Sequence, residues 1–312
     1  MKLLLCILLI LFAVSGGFAQ TTIPAYYRQS SSFNNALKSI IHDTKLDSSF
    51  VTAEDGMEQI SFAVIDLTGK RPVFGGVNAG NFIYPASVYK MYVAMEILKQ
   101  VSENNYPLYK QYIVPAPNDV DKTKEITDDP RPLLKAGDTV TINYLLDLMI
   151  TRSDNAAANC LIDIAGRKNI NHTMESYGWK GSEVTRKFLK RKFEDPGYDT
   201  IKGTETCALH AADFMYRVYS NQLVNPWVSM QLKALLGRQL DNTKLAAGLP
   251  ANAMFYHKTG WWSSYTHDAG IVDDGKIKYI IAVFTPVTEA TVLPALKMLS
   301  QSVYSLIEQL HK

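Results

Sequence analysis

The stretch Tyr84-Pro85-Ala86-Ser87-Val88-Tyr89-Lys90 is the part of the chain from which the fold and the chemistry are inferred. Apolar residues then recur at helical spacing, which predicts a helix over residues 87–99. Ser87 and Lys90 are three residues apart and so lie on one helix face, one turn from each other. A serine hydroxyl becomes a nucleophile when a neighbouring base takes its proton, and a desolvated lysine can be that base. The alternative is that Ser87 caps the helix and Lys90 is solvated.

A second motif, Ser153-Asp154-Asn155, falls in a turn between two predicted helices. Thr141 caps the first helix, and the second covers residues 155–165 and stops at Gly166. Ser153 can relay a proton toward a leaving group, and the Asn155 amide can hold a substrate carbonyl or orient Lys90. The alternative is that the tripeptide simply caps the second helix.

A third motif, Lys258-Thr259-Gly260, ends a strand predicted over residues 253–258. Lys258 offers a cation and Thr259 a hydroxyl to a substrate carboxylate. Gly260 lets the strand approach closely, so that the N–H of Trp261 can join the N–H of Ser87 as an oxyanion hole. A surface β-turn is the alternative for this tripeptide.

Strands are predicted near both ends of the chain and helices between them. The further strands cover residues 59–67, 71–74, 269–272 and 276–284, and Asp273-Asp274-Gly275 supplies a hairpin turn. The further helices cover residues 34–42, 207–219, 226–236 and 289–310, and Pro294 fits the last of them if it lies in or near the first turn. One sheet built from distant segments, with a helical block inserted beside it, is therefore expected, which is an α+β arrangement.

The composition excludes several classes of protein. The chain has 312 residues, 47% of them hydrophobic and 20% charged, with Lys+Arg 32 against Asp+Glu 30. This apolar content is enough for a sizeable core and argues against intrinsic disorder. The net charge of +2 argues against binding through a dominant phosphate-neutralising surface, so no nucleic-acid partner is expected. A single long apolar run excludes a polytopic membrane protein.

That apolar run covers residues 3–14, and it follows Met1-Lys2 and precedes small residues at Gly17 and Ala19. The pattern predicts a secretory signal peptide over residues 1–19, because the run is shorter than the roughly 20 residues that span a bilayer. A short N-terminal anchor is the alternative. We expect a secreted or periplasmic protein, with no stable membrane insertion after cleavage.

Removal of the signal peptide leaves two cysteines, Cys160 and Cys207. An exported protein could join them in a disulfide, and two buried free thiols are the alternative. Neither cysteine has the C-x-x-C spacing of a metal site.

The three motifs occur once each and in this order. The set S-x-x-K, S-D-N and K-T-G resembles the penicillin-recognising serine enzymes, and class A β-lactamases most closely. Three further segments are similar to that family: Asp66-Leu67-Thr68-Gly69-Lys70, Gly137-Asp138-Thr139-Val140-Thr141 and Leu249-Pro250-Ala251. The resemblance covers roughly residues 59–286.

The resemblance implies a five-stranded antiparallel sheet flanked by the terminal helices, with an all-helical subdomain beside it and the site between them. Residues 20–312 then form one catalytic domain, with an α/β subdomain at about 20–86 and 250–312 and a helical subdomain at about 87–249. It implies that Ser87 attacks a carbonyl, Lys90 takes the proton, and Ser153 and Lys258 pass a proton to the leaving group. Asn155, Thr259, Gly260 and Trp261 would bind the substrate, a monomer is expected, and no metal or cofactor is implied.

One departure from the family is clear. Class A β-lactamases carry a glutamate within Glu-x-x-Leu-Asn that activates the deacylating water, and this chain contains no such pattern. The corresponding position falls at about residues 189–192, and Glu194 is the nearest carboxylate. Acylation of Ser87 is therefore better supported than rapid release of the product.

Two further features lie near the third motif. His267-Asp268 could supply a titratable base, or His267 could be structural. Trp261-Trp262 could wall a substrate cleft or form a packed pair. The motifs H-E-x-x-H, G-x-x-x-x-G-K-[ST] and G-x-S-x-G are absent from the sequence, which argues against a zinc protease, a P-loop NTPase and a typical α/β-hydrolase.

The expected function is that of an exported, penicillin-binding serine hydrolase that forms an acyl-serine on small β-lactam substrates, as an antibiotic-resistance enzyme does. Two alternatives stay open. One is a peptidase, amidase or esterase on the same scaffold that acts on cell-wall peptide or another acyl substrate. The other is a sensor that is acylated once and keeps the adduct.

Overall fold

The structure is a computed structural model that describes residues 21–118, 120, 129–188 and 200–312. The described residues contain ten strands and eight α-helices. The strands are β1 Arg28–Gln29, β2 Phe50–Thr52, β3 Gly56–Glu58, β4 Ser61–Asp66, β5 Val73–Val77, β6 Gln111–Ile113, β7 Thr139–Thr141, β8 Met254–Trp262, β9 Tyr265–Asp273 and β10 Lys278–Thr285. The helices are α1 Ser31–Asp43, α2 Lys90–Ser102, α3 Ile142–Thr151, α4 Asn155–Ala165, α5 Arg167–Ser176, α6 Ala208–Tyr219, α7 Pro226–Leu236 and α8 Glu289–Leu310.

The main sheet has the strand order β1-β5-β4-β10-β9-β8, so segments from both ends of the chain form one sheet. Pairing from β5 to β8 is antiparallel throughout, which gives the five antiparallel strands that were expected. A sixth strand, β1, was not predicted, and it pairs in parallel with β5. Because β1 has two residues, it is too short for a periodic pattern to reveal it.

The alternation of side chains along the central strands builds two cores. On β4, Phe62 and Val64 face one core while Ala63 and Ile65 face the other, and all four are buried. The terminal helices α1 and α8 cover the first face, and α6 packs on β4, β9 and β10 at the second. The sheet thus separates the terminal helices from the helical block, as the α+β prediction requires.

The third motif lies inside a strand, which corrects both the predicted strand end and the β-turn alternative. Strand β8 continues through Lys258, Thr259 and Gly260 to Trp262, and the chain reverses at residues 263–264 before β9. Turn-forming residue types suggested a strand end at Lys258. Gly260 lies within β8, where the strand packs closely against the turn that carries Ser87.

Several helix predictions agree with the structure and others needed correction. Helices α4, α7 and α8 have the predicted bounds, and Thr141 caps α3 by accepting from the N–H of Tyr144. Helix α5 was missed because its sequence is mostly polar; its buried residues are Ile170, Thr173 and Met174. The short hairpin β2–β3 and the short antiparallel strand pair β6–β7 were also missed.

Pro294 is the sixth residue of α8 and lies just after its first turn, in agreement with the expected position. Pro294 and Ala290, the residue one turn before it, are both exposed. The carbonyl that would have received the missing N–H therefore faces water, which makes the proline tolerable at this position.

Cys160 and Cys207 are both buried and are not joined to each other, so the disulfide alternative is wrong. Cys160 accepts a hydrogen bond from Asn118, and burial raises the pKa of the Cys207 thiol to about 12. The predicted signal peptide, residues 1–19, lies outside the described residues. Among the helices of the described part, none is long and apolar enough to cross a membrane.

Candidate active site

Ser87 lies in a 3-10 turn, Ala86–Tyr89, that leads directly into α2. The preceding residue, Ala86, has φ +44°, a backbone region that non-glycine residues rarely adopt. The turn is closed by a hydrogen bond of 3.1 Å from the Val88 N–H to the Pro85 carbonyl. Ser87 is half-buried and lines a cleft of about 510 Å³. A strained turn thus presents the serine to an open cleft.

Lys90 is fully buried, and its amine joins the first two motifs. Its Nζ lies 2.7 Å from the Ser153 carbonyl oxygen, 3.1 Å from the Ser153 Oγ and 2.7 Å from the Asn155 Oδ1. The alternative of a solvated lysine is therefore wrong. Burial among oxygen acceptors suits a group that receives a proton close to the serine.

In the Ser153-Asp154-Asn155 turn, Asp154 caps α4, whereas Ser153 and Asn155 contact the amine of Lys90. The Asp154 carboxylate caps α4 by accepting from the Ala157 N–H at 2.7 Å, and it forms a buried ion pair with Arg152 at 2.9 Å. Ser153 has φ +59° and directs both its oxygens at Lys90. Asn155 is the first residue of α4 and also lines the cleft.

Lys258 and Thr259 are buried behind the cleft wall, at 0% and 3% exposure. The Lys258 amine donates to the Thr259 carbonyl oxygen at 2.8 Å. Neither residue lines the cleft in this structure, whereas Ser87, Asn155 and Trp261 do.

Gly260 is the point where β8 touches the serine turn. A Cβ at this position would lie 2.8 Å from the Ser87 nitrogen and 2.9 Å from the Pro85 carbonyl oxygen. Real Cβ atoms do not come this close to backbone, so any side chain would push the strand and the turn apart. The expected close approach at Gly260 is present.

The backbone N–H of Trp261 points away from the sheet. Trp262 and Tyr265 flank a two-residue turn and form the hydrogen-bonded pair of that hairpin, so the next pair, Trp261 with Thr266, is non-hydrogen-bonded. Because β8 is the outer strand, the N–H of Trp261 faces outward, on the edge that passes the Ser87 turn. The two donors of the predicted oxyanion hole are therefore on adjoining segments.

His267 is structural. It is fully buried, and burial lowers its pKa to about 3. Its Nε2 lies 2.8 Å from the Tyr84 carbonyl oxygen, and the Thr285 N–H donates to its Nδ1 at 3.1 Å. Both ring nitrogens are engaged, so the alternative of a titratable base is not supported. Asp268 accepts from His257 at 2.9 Å and is likewise buried.

Trp261 and Trp262 are 56% and 44% exposed and both line the cleft, so the packed-pair alternative is wrong. The opposite wall carries Phe188, whose ring centroid lies 4.6 Å from the Lys90 Nζ and which stacks on Tyr89 at 5.8 Å. Phe188 directly precedes residues 189–192, the segment that corresponds to the family glutamate. Nothing in the sequence around Phe188 predicted its contact with Lys90.

The cleft also has an acidic side that the sequence did not reveal. The β2–β3 hairpin contributes Glu54, Asp55 and Glu58, and Glu205 lies on the facing segment. Tyr265 donates to Asp55, which ties the hairpin to β9. Burial, together with the charges of Asp55 and Glu205, raises the pKa of Glu58.

The segment that corresponds to the family's deacylating glutamate cannot be placed on this site. Residues 189–192 and Glu194 lie outside the described residues. Over the described ranges, no group of three or more His, Cys, Asp or Glu side chains is arranged to hold a metal ion.

Comparison with known proteins agrees with this geometry. A family model described as the beta-lactamase enzyme family matches residues 43–306. The chain is 26% identical over 216 residues to extended-spectrum beta-lactamase PER-1 of Pseudomonas aeruginosa, covering 64% of this chain and 66% of that protein. It is 29% identical over 175 residues to beta-lactamase AST-1 of Nocardia asteroides, covering 55% and 56%. The chain thus matches less than two thirds of either relative's length.

Solved structures share the fold. The structure of PBP-A superposes with a TM-score of 0.71 at 22% identity and covers 92% of this chain and 100% of that chain. The beta-lactamase from Sphaerobacter thermophilus superposes with a TM-score of 0.71 at 16% identity and covers 88% and 98%. The motifs, their convergence on Ser87 and the match over residues 43–306 together lead to one conclusion: the chain belongs to the beta-lactamase enzyme family.

Proposed function

We propose that this protein is an exported serine hydrolase that opens β-lactam rings through an acyl-serine at Ser87. One observation carries the proposal: the amine of Lys90 is buried one helix turn from Ser87 and contacts Ser153 and Asn155 at 2.7–3.1 Å. Relatives described as beta-lactamases support the choice of substrate. Export is supported by the signal-peptide pattern in residues 1–19.

Acylation would proceed as follows. The unprotonated amine of Lys90 accepts the Ser87 proton while Oγ attacks the lactam carbonyl, and the oxygens of Ser153 and Asn155 hold the ammonium that results. The N–H groups of Ser87 and Trp261 stabilise the oxyanion. The C–N bond then breaks, and the ring nitrogen takes the proton that Lys90 received, passed on through the Ser153 hydroxyl 3.1 Å from the Lys90 amine. An acyl-serine remains, and water must cleave its ester bond to restore Ser87.

A second candidate is a penicillin-binding protein that turns over slowly. The sequence favours it, because the chain lacks the Glu-x-x-Leu-Asn pattern whose glutamate activates the deacylating water in class A β-lactamases. One solved structure with the same fold is described as an acyl-enzyme complex of a PBP-A mutant with penicillin G, so PBP-A forms such an adduct. A peptidase, amidase or esterase on this scaffold would use the same first step.

The test is to mix the protein with benzylpenicillin and follow intact mass and drug consumption together. A hydrolase consumes many equivalents of drug with a transient adduct, whereas a slow penicillin-binding protein keeps an adduct equal to one intact penicillin. Ser87→Ala should abolish both signals. Ser39→Ala, an exposed serine on α1, is the matched control and should behave as wild type. Absence of both adduct and turnover in the wild-type protein would contradict the proposal.

A further inference from the structure

His267 stands at the junction between the sheet and the serine turn. It lies on β9, where its partners in the ladder are Gly260 of β8 and Phe284 of β10. Gly260 is the residue that touches the Ser87 turn. A fully buried imidazole therefore lies on β9 directly beside Gly260, the residue of β8 that contacts the Ser87 turn.

The two hydrogen bonds of His267 fix its tautomer. A backbone N–H can only donate, so the bond from Thr285 at 3.1 Å makes Nδ1 an acceptor. A carbonyl oxygen can only accept, so Nε2 carries the proton and donates to Tyr84 at 2.8 Å. The ring therefore links the backbone of β10 to the backbone just before the nucleophile.

The segment that receives this bond needs an external restraint. Two residues after Tyr84, Ala86 has φ +44°, which is costly for a residue with a Cβ. Upstream, Ile83 is anchored by backbone bonds of 2.9 and 3.1 Å with Thr206. Downstream, the chain is held by α2. Between these anchors, the Tyr84 carbonyl is held by the side chain of His267.

We propose that His267 is a positioning residue, and that its hydrogen bond to the Tyr84 carbonyl holds the strained turn so that Ser87 faces the cleft at the edge of β8. The proposal rests on Ser87 being the nucleophile. The imidazole touches no reacting atom, and it acts through the backbone of residues 84–87.

Two amide variants separate the two bonds. Asn places its amide where the imidazole has Nδ1, so His267→Asn can still accept from Thr285 but cannot reach Tyr84. Gln extends to the position of Nε2, so His267→Gln can still donate to Tyr84. We expect acylation by benzylpenicillin, followed by intact mass, to slow by about 10- to 100-fold in His267→Asn. His267→Gln should stay within about 3-fold of wild type, a fraction of the loss that misplacing a reacting group causes.

The stability control is Val283→Ala on β10, whose side chain faces the core on the other side of the sheet. It should lower the melting temperature while leaving the acylation rate unchanged. Hydrogen exchange of the peptide containing residues 84–88 should become faster in His267→Asn and not in His267→Gln or Val283→Ala. This exchange reads the turn directly, so it tests the proposal even if wild-type protein is not acylated and the proposed function fails.

A measurement on the wild-type protein does not depend on any variant folding. Nitrogen-15 NMR of labelled histidine should show the His267 ring as the Nε2–H tautomer at pH 7. The Nδ1–H tautomer would overturn the proposal. Equal acylation rates in His267→Asn and wild type, or equal losses in His267→Asn and His267→Gln, would also overturn it.

Discussion

The side chain of Lys90 is fully buried, and its amine donates hydrogen bonds to oxygens of Ser153 and Asn155. In the proposed mechanism this amine accepts the Ser87 proton, so Lys90→Gln should lower the acylation rate by about 10²- to 10⁴-fold. The Gln amide can still donate to one of the vacated oxygens, which limits the loss of stability.

The measurement for Lys90→Gln is the rate of adduct formation with benzylpenicillin. Lys99→Gln, on the same helix with its amine near Glu103, is the control and should acylate at the wild-type rate. A Lys90→Gln protein that acylates as fast as Lys99→Gln would show that another group takes the proton.

Gly260 offers a second test at this scale. A methyl group there would lie 2.8 Å from the Ser87 nitrogen, so Gly260→Ala must shift the strand or the turn. We expect a loss of about 1–3 kcal/mol in the free energy of unfolding, as for other overpacked sites. We also expect an acylation rate at least about 10-fold lower, because the turn and its donors move apart.

The control for Gly260→Ala is Gly69→Ala, where the nearest atom to a new Cβ would be 3.8 Å away. Urea unfolding and acylation kinetics should leave this control near wild type. Normal acylation by Gly260→Ala would mean that the close approach does not serve the nucleophile.

The sequence predicted Ser87, Lys90, Ser153 and Asn155 as neighbours because three short motifs together suggested a known arrangement. It did not predict Phe188 over Lys90 or the burial of Thr259, since these contacts depend on how separate segments pack. His267 remained open between base and structural residue, and the two backbone partners that decide the matter are 183 and 18 residues away.

At the scale of elements, the β2–β3 hairpin gives the cleft a negative wall through Glu54, Asp55 and Glu58. Charges of this kind alter the relative rates of charged substrates. In the variant Glu54→Gln/Glu58→Gln, acylation by carbenicillin, whose side chain is anionic, should gain about 3- to 10-fold relative to acylation by the cationic ampicillin.

The readout for the hairpin variant is the ratio of the two acylation rates at low salt. Glu175→Gln/Glu308→Gln, which removes two exposed carboxylates elsewhere, makes the same change in net charge and should leave the ratio unchanged. An equal change in both double variants would attribute the effect to net charge and not to the hairpin.

Elements with strong periodicity were predicted well, and short ones were not. Helices α4 and α7 have their predicted bounds because the apolar spacing, a side-chain cap and a glycine after the last residue agree there. Helix α8 has no side-chain cap, and its long apolar pattern alone predicted its bounds. Strands β1, β2 and β3 have two or three residues each, and helix α5 is mostly polar. Their stability comes from tertiary contacts that a local pattern does not contain.

Across the whole molecule, buried neutral histidines make stability depend on pH. Burial lowers the pKa of His267 to about 3 and that of His210 to about 4, against 6.5 in the unfolded chain. Below pH 6.5 the unfolded chain therefore binds protons that the folded chain does not, and stability falls as pH falls. The expected slope is up to about 1.4 kcal/mol per pH unit for each histidine between about pH 6 and pH 4.

Other groups modify this profile. Hydrogen bonds from Arg131 lower the pKa of Asp129 to about 2, so its contribution is present above about pH 4 and is lost as pH falls toward 2. Asp47 raises the pKa of the exposed His42, so this histidine stabilises the folded protein more as the pH falls. Urea unfolding from pH 7 to pH 4.5 tests the slope, and His267→Gln should remove about half of it. A flat profile in the wild-type protein would contradict the buried neutral histidines.

The central claim is that this chain forms an acyl-serine at Ser87, with the helical block and the edge strand β8 enclosing one cleft around it. The direct measurement is to acid-quench the protein seconds after adding benzylpenicillin, digest it and locate the adduct by tandem mass spectrometry. We predict one penicilloyl group, on Ser87, and none in Ser87→Ala. An adduct on another residue, or an unmodified Ser87 while the drug is consumed, would contradict the account.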